Sequence, residues 1–260
     1  MSMKLLSKEN ETSRVLIKDS NPTEMNTFRR VIINKVPTMT IHEIEVKENS
    51  SAMYVEMLAH RLGLTPLKTD LKSYELQKDC KCKGKGCARC TLKMTLKMEG
   101  PCTVYAEDIK SQDPKVVPVY PRMQILELLE GQKIDIVATA TLGEGKNHMK
   151  NSPGLIFYQG NPEIKIGAVK NPKVIVDTCP KHLYKLDGQK LKCTDNTKCV
   201  LCKACEDVSQ GTIQVNGSDK DFILTIEEFG QLPAKQMVTK ASEIISKQLT
   251  ELTKAIKAKK

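Results

Sequence analysis

A chain of 260 residues is long enough for one large or two to three small domains, and with 4% aromatic residues and no Trp its core must be mostly Ile, Leu, Val and Met. The formal charge of +10 permits an acidic or nucleic-acid partner without demonstrating one. No apolar run approaches about 18 residues, and the opening MSMKLLSKEN is too polar for a secretory leader, so a soluble, cytoplasmic protein that does not touch membranes is expected.

Residues 12–18 (TSRVLIK) read as a short strand. In the next segment Asn21 can cap a helix, Pro22 suits its first position, and Glu24 is placed to complete a capping box. Met25, Phe28, Val31 and Ile32 then recur at helical spacing until Pro37 ends the run. Residues 40–46 alternate as a strand, and 50–67 read as a second helix stopped by Gly63 and Pro66. After a Gly/Lys-rich loop, residues 91–100 and 102–109 alternate with period two and look like strands paired with each other. Residues 132–145 read as a further strand and 147–154 as a turn-rich boundary. Residues 162–169 and 173–178 read as short β segments. Residues 221–230 read as a strand with Phe222, Leu224 and Ile226 on one face. Pro233 opens a final helix whose Val238, Ala241, Ile245, Leu249, Leu252 and Ile256 fall at three- and four-residue steps. Such a stripe needs a partner surface, either the chain's own core or another subunit.

Ten cysteines without a leader point to metal binding rather than to a disulfide framework. In CKCKGKGCARC, Cys80, Cys82, Cys87 and Cys90 give four thiolates, with Gly84 and Gly86 letting the chain turn. That set suits a tetrahedral structural Zn2+, and four protein ligands leave no open position for catalysis. The alternative is an unmetallated or disulfide-bonded loop. Lys78, Lys81, Lys83, Lys85, Arg89 and Lys93 surround the loop without interleaved aromatics. A solvated face that offsets thiolate charge is therefore favoured over a phosphate-binding surface.

The second group, Cys199, Cys202 and Cys205, has ferredoxin spacing, but Ser209 stands where the fourth cysteine belongs. In a two-cluster ferredoxin the Cys-Pro of one run ligates the other cluster. Cys179-Pro180 can be that residue, left from a run whose first three cysteines are missing. The losses are complementary, so one complete site of Cys179, Cys199, Cys202 and Cys205 is expected. A [4Fe–4S] cluster is favoured and a [3Fe–4S] form stays open. Zinc in the same tetrathiolate is the main rival, ahead of a disulfide or free thiols. Cys193 fits neither run and reads as a free thiol. No P-loop, G-x-S-x-G, HExxH or dinucleotide fingerprint is present, and the four histidines are scattered, so no catalytic site is expected.

NTFRRVIINKVPTMTIHEIEV followed by LAHRLGLTPL resembles the family of archaeal RNA polymerase D subunits, relatives of the bacterial α N-terminal domain and of the third subunit of eukaryotic polymerase II. GQKIDIVATATLGEGKNHMKNSPG resembles a later block of that family, with Met149 and Asn151 departing from its usual residues. The match covers nearly the whole chain. It implies an α+β fold in three parts. A discontinuous α-like dimerisation domain would take 1–43, 155–172 and 222–260. An α/β insertion domain with the zinc-type loop would take 44–154, and a small ferredoxin-like Fe–S domain 173–221. It implies pairing with subunit L, to make a platform for the large catalytic subunits alongside other small assembly subunits. DNA would be reached only through the complex. By the same resemblance Arg29 and Arg30 face the second-largest subunit, and Phe28, Val31 and Ile32 pack in the dimer interface with the C-terminal stripe of Ile245, Leu249 and Leu252. Cys80, Cys82, Cys87 and Cys90 match the zinc loop of the eukaryotic relative with one residue fewer between the second and third cysteines. The competing readings are a ferredoxin-like electron carrier or redox sensor, and a zinc-dependent nucleic-acid-binding module. Loss of the cluster would loosen residues 173–221 and weaken pairing with subunit L.

Overall fold

The computed structural model describes residues 2–188 and 190–258. Residues 1, 189, 259 and 260 fall within the domain spans given above and lie outside the described residues. In chain order the elements are β1 (Ser2–Glu9), β2 (Thr12–Lys18), α1 (Pro22–Lys35), β3 (Thr38–Asn49), α2 (Val55–Leu64), β4 (Leu92–Glu99), β5 (Cys102–Tyr105), β6 (Lys110–Ser111), β7 (Gln124–Leu128), β8 (Lys133–Gly143), β9 (Gly154–Ile166), α3 (Pro172–Thr178), β10 (Tyr184–Asp187), β11 (Lys190–Cys193), α4 (Ala204–Val208), β12 (Ile213–Glu228) and α5 (Ala234–Ala258). The chain divides into two units, 1–29 with 156–226 and 30–155 with 227–260. No helix among the described residues is long and apolar enough to cross a membrane.

The first unit is built on a four-stranded sheet in the order β1-β2-β12-β9. β1 was not expected, because SMKLLSKE does not alternate; it is an exposed edge strand held by its antiparallel ladder to β2. Asn21 caps α1 as expected, accepting from the Glu24 amide at 2.9 Å. The carboxylate of Glu24 does not close a capping box on Asn21. It accepts instead from the Ser20 hydroxyl at 2.9 Å. Strand β12 is buried on both faces, not one: Ile223 and Thr225 are enclosed along with Phe222, Leu224 and Ile226. The Phe222 ring meets Tyr158 edge-on at 5.8 Å, a favoured aromatic geometry.

Residues 173–178 are a helix, α3, not a strand. Their Val-Ile-Val run suggests β structure, but Pro172 sits at the helix start and Ile175 alone points fully inward. Tertiary packing overrides a weak local preference here. Between β9 and β12 the chain runs helix, hairpin, helix: α3, then β10 paired antiparallel with β11, then α4. A satellite core of Ile175, Leu183, Tyr184, Ile213 and Val215 closes around Cys179, Cys199 and Cys205.

The second unit holds a four-stranded sheet, β3-β8-β4-β6, and the ribbon β5-β7. All of these pairings are antiparallel, so this segment is α+β and not the α/β arrangement expected from the resemblance. β4 and β5 do not pair with each other: β4 lies beside β8 and β6, and β5 beside β7. Between them Gly100 leaves no room for a side chain, since a Cβ would meet the Leu129 carbonyl oxygen at 2.1 Å. Leu58 and Leu62 of α2 pack into a core with Met39, Met94, Ile125 and Ile136.

A buried amide ties the end of β8 to β3. Asn151 is 5% exposed. Its Oδ1 accepts from the Thr40 hydroxyl at 2.8 Å, its Nδ2 donates to the Glu144 carbonyl at 3.2 Å, and its own carbonyl accepts from Thr38 at 2.9 Å. Gly143 must lack a side chain because a Cβ would fall 2.5 Å from that amide. Asn151→Leu leaves Thr40 and the Glu144 carbonyl without their partner. It should cost about 2–3 kcal/mol, seen as an earlier urea midpoint; an unchanged midpoint contradicts this account of the clamp.

Candidate metal centres

The loop between α2 and β4 brings the first cysteine set together. Cys80, Cys82, Cys87 and Cys90 have all four sulfurs within 4.8 Å of one another, the one such group of metal-type ligands among the described residues. The loop turns through left-handed backbone at Lys83, Gly84 and Gly86. A Zn–S bond of about 2.3 Å in a tetrahedron places sulfurs about 3.8 Å apart. Here Cys80–Cys87 and Cys82–Cys90 are 3.5 Å apart and Cys87–Cys90 3.8 Å. The donor set and its spacing fit one tetrahedral ion.

Ionisation shows what a bound ion would change. Burial opposes the thiolate at Cys82, but bonds from the Cys90 and Cys80 thiols and the Gly86 and Gly84 amides outweigh it and hold Cys82 at about 6. Burial pushes Cys90 up to about 12. Thiols this close ionise one at the expense of its neighbours, whereas a bound cation deprotonates all its thiolate ligands. Three of the surrounding basic residues are already paired: Lys78 with Glu144 at 2.6 Å, Lys93 with Glu45 at 2.9 Å, and Arg89 with Glu75. These pairings occupy three of the cations that a phosphate-binding surface would need free.

The second set lies between α3 and α4. Cys179 is the C-cap of α3, and Cys205 belongs to α4. With Cys199 and Cys202 they line a single cavity together with Pro180, Leu183 and Tyr184. Cys179, Cys199 and Cys205 are buried and Cys202 is exposed. Their sulfurs do not form a compact single-ion set like the first. Leu201 and Lys203, on either side of Cys202, both take left-handed backbone, with φ of 56° and 60°. Such conformations are costly for bulky residues and create concavities of backbone N–H groups suited to anions. The Leu201 amide points at the Cys199 sulfur, whose thiol is raised chiefly by burial.

Spacing alone could not reveal the residues that hold this loop. The Tyr184 hydroxyl lies 3.2 Å from the Cys205 sulfur. Gln159 of β9 donates to the Cys199 carbonyl at 2.7 Å, and Arg14 of β2 donates to the Thr197 carbonyl. Cys193 sits on β11 opposite Tyr184, and Cys102 is on β5; neither joins a set.

The residues expected at an interface divide by exposure. Phe28, Val31 and Ile32 are buried within the chain itself. Arg30 is exposed, and Arg29 is partly buried with its guanidinium on Asn26. In α5 the first turns are buried through Met237 and Ala241, Ile245 is half-buried, and Leu249, Leu252 and Ile256 are 59%, 57% and 56% exposed.

Residues 43–158 match the family described as the RNA polymerase Rpb3/RpoA insert domain. DNA-directed RNA polymerase subunit Rpo3 of Archaeoglobus fulgidus is 33% identical over 257 residues, covering 98% of this chain and 97% of that one. The Methanosarcina acetivorans subunit of the same name is 33% identical over 257 residues, 97% of each chain. That of Methanopyrus kandleri is 34% identical over 250 residues, 94% and 91% of the two chains. The metal-site geometry has a direct check. Titration of the metal-free chain with Co2+ should give the visible bands of a tetrahedral tetrathiolate, and Cys90→Ser should abolish them with little change in the β-sheet signal. Undiminished bands in Cys90→Ser contradict the assignment.

Proposed function

Because the chain belongs to the Rpo3 family of DNA-directed RNA polymerase subunits, which have no catalytic site of their own, we propose that it is an assembly subunit, pairing with the small subunit L in the cytoplasm. Rpo3 and the archaeal D subunit are two names for one protein. The pair would be the platform for the large catalytic subunits and the other small assembly subunits, and DNA would be met only through the complex. The observation that carries this reading is the distal half of α5. Leu249, Leu252 and Ile256 form an apolar stripe left uncovered by the described residues. A helix of this length exposing such a stripe needs a second surface. We propose that Ile245, Leu249 and Leu252 meet that surface and that Arg29 and Arg30 face a large subunit. Phe28, Val31 and Ile32, being buried already, would back the interface from within.

We further propose the three-part division given by the resemblance: dimerisation domain (1–43, 155–172, 222–260), insertion domain (44–154) and Fe–S domain (173–221). Antiparallel pairing in the insertion segment makes it α+β. Zinc at Cys80, Cys82, Cys87 and Cys90 is supported by sulfur spacing that matches a tetrahedron around one ion. An iron–sulfur cluster at Cys179, Cys199, Cys202 and Cys205, [4Fe–4S] or [3Fe–4S], is supported by three features. The four residues share one cavity. The backbone beside Cys202 offers N–H groups to an anion. The strand–helix–hairpin–helix–strand order from β9 to β12 is that of a ferredoxin-like βαββαβ unit. The cluster would hold this small domain together, since ligand binding here is folding free energy.

The interface is tested by co-expression with subunit L. Leu249→Glu with Leu252→Glu should weaken recovery of the pair by about tenfold or more, leaving the melting of the free chain unchanged because both residues are exposed. Undiminished pairing would remove the basis of the proposal. The cluster's role is tested by Cys202→Ser: heterodimer yield and melting should both fall, and if neither changes the cluster has no part in assembly.

A further inference from the structure

Outside the two cysteine sets, a heavily charged concavity lies in the second unit, between the segment 68–72, Lys115 and the start of α5. Lys68, Lys72, Lys115, Lys235 and Lys240 line it, against two acids, Asp70 and Glu243. Both acids are already engaged. The Asp70 carboxylate accepts from the Lys72 amide at 2.9 Å, the Ser73 hydroxyl at 2.8 Å and Lys115 at 3.3 Å. Glu243 accepts from Lys240 at 3.0 Å. Among the described residues Lys68, Lys72 and Lys235 are left without an acidic partner, and all three are exposed.

A second feature of the same groove concerns hydrogen bonding. Gln231 lines it and is 5% exposed. Its backbone carbonyl accepts from the Thr69 amide at 3.0 Å, and its side-chain Nε2 faces the Lys150 carbonyl at 3.5 Å. That carbonyl fixes which way the amide points, because the reverse orientation would set two oxygens against each other. Gln231 Oε1 is then the one buried side-chain polar atom among the described residues with no partner. Buried acceptors are nearly always satisfied, so this orphan is a place for a donor, either water or a group bound in the groove.

We propose that this groove is a docking site for an acidic peptide segment of another protein. Its carboxylates would meet Lys68, Lys72 and Lys235, and a main-chain N–H would satisfy Gln231 Oε1. Nucleic acid satisfies half of this chemistry. Phosphates would suit the lysines, but a phosphodiester has no hydrogen to donate to Gln231, so a base or sugar hydroxyl would have to turn into the groove, whereas an extended peptide carries an N–H at every residue but proline. No aromatic side chain lines the groove for a base to stack on. The cations are all lysines, point charges without the planar fork that makes Arg a preferred phosphate clamp. The start of α5 adds the positive end of a 25-residue helix to the same wall, which favours anionic partners.

The experiment measures fluorescence anisotropy with the full chain. One probe is a labelled peptide alternating Asp, Ser, Glu and Leu; another is its Asn/Gln counterpart; the third is an oligothymidine of equal charge. The acidic peptide should bind, its affinity falling with salt, and the uncharged counterpart should not. Lys68→Ala, Lys72→Ala and Lys235→Ala together should weaken binding by about tenfold. Gln231→Leu should weaken it by about fivefold at unchanged salt dependence. Lys247→Ala, further along α5, should leave it unchanged. An unaltered affinity in the triple variant would overturn the proposal even if Gln231→Leu proves unstable. So would no binding of the acidic peptide, or equally tight binding of the oligothymidine through the same lysines.

Discussion

Four sulfurs held within 4.8 Å of one another are the constraint around which the insertion segment is arranged. Thiols that close cannot all ionise without a cation, and thiols left neutral give the cysteine segment 78–91 little apolar packing of its own. Most of its side chains are lysine, glycine or exposed polar groups. A metal held by the four sulfurs would replace the apolar core that so short a segment cannot build. Cys80 and Cys90 are the buried pair, while Leu67 and Tyr74, earlier in the same loop, belong to the core of the sheet.

The second cysteine set solves the same problem in another way. Its residues are spread between two short helices, and side chains of the satellite core such as Ile175, Leu183 and Val215 pack around the cavity they line. Two left-handed bulky residues beside Cys202 are an unfavourable backbone choice that a loop keeps only when something else rewards it. Amides aimed at sulfur are such a reward. Gln159 and Arg14 fasten this loop to β9 and β2, so order at the cysteines and order in the strands of that unit are linked by named hydrogen bonds.

Much of this was legible in the sequence because the informative signals are local. Pro22 and Asn21 mark the start of α1, and the three- and four-residue steps of α5 mark a helix that needs a partner. The spacing of Cys80, Cys82, Cys87 and Cys90 marked four sulfurs that the fold brings together. What was missed depends on contacts between distant residues. Strand pairing of β4 with β8 is decided by packing in the core and not by adjacency in sequence. The Val-Ile-Val of α3 carries a strand preference that Pro172 and the packing of Ile175 overrule. Asn151 looked like a departure from a family block, yet it is the buried amide that joins β3 to the end of β8. The support given to Cys205 by Tyr184 left no trace in the spacing of either residue.

We propose that one non-catalytic polymerase subunit carries two different metal centres, a compact single-ion site and a wider cluster site. Metal and acid-labile sulfide analysis, with an absorption spectrum, on the anaerobically purified chain co-expressed with subunit L tests it most directly. The account predicts one zinc together with about four irons and four sulfides per chain, with a broad visible band that Cys179→Ser removes while zinc remains. Zinc in both sets, or iron that survives Cys179→Ser and Cys202→Ser, would contradict it.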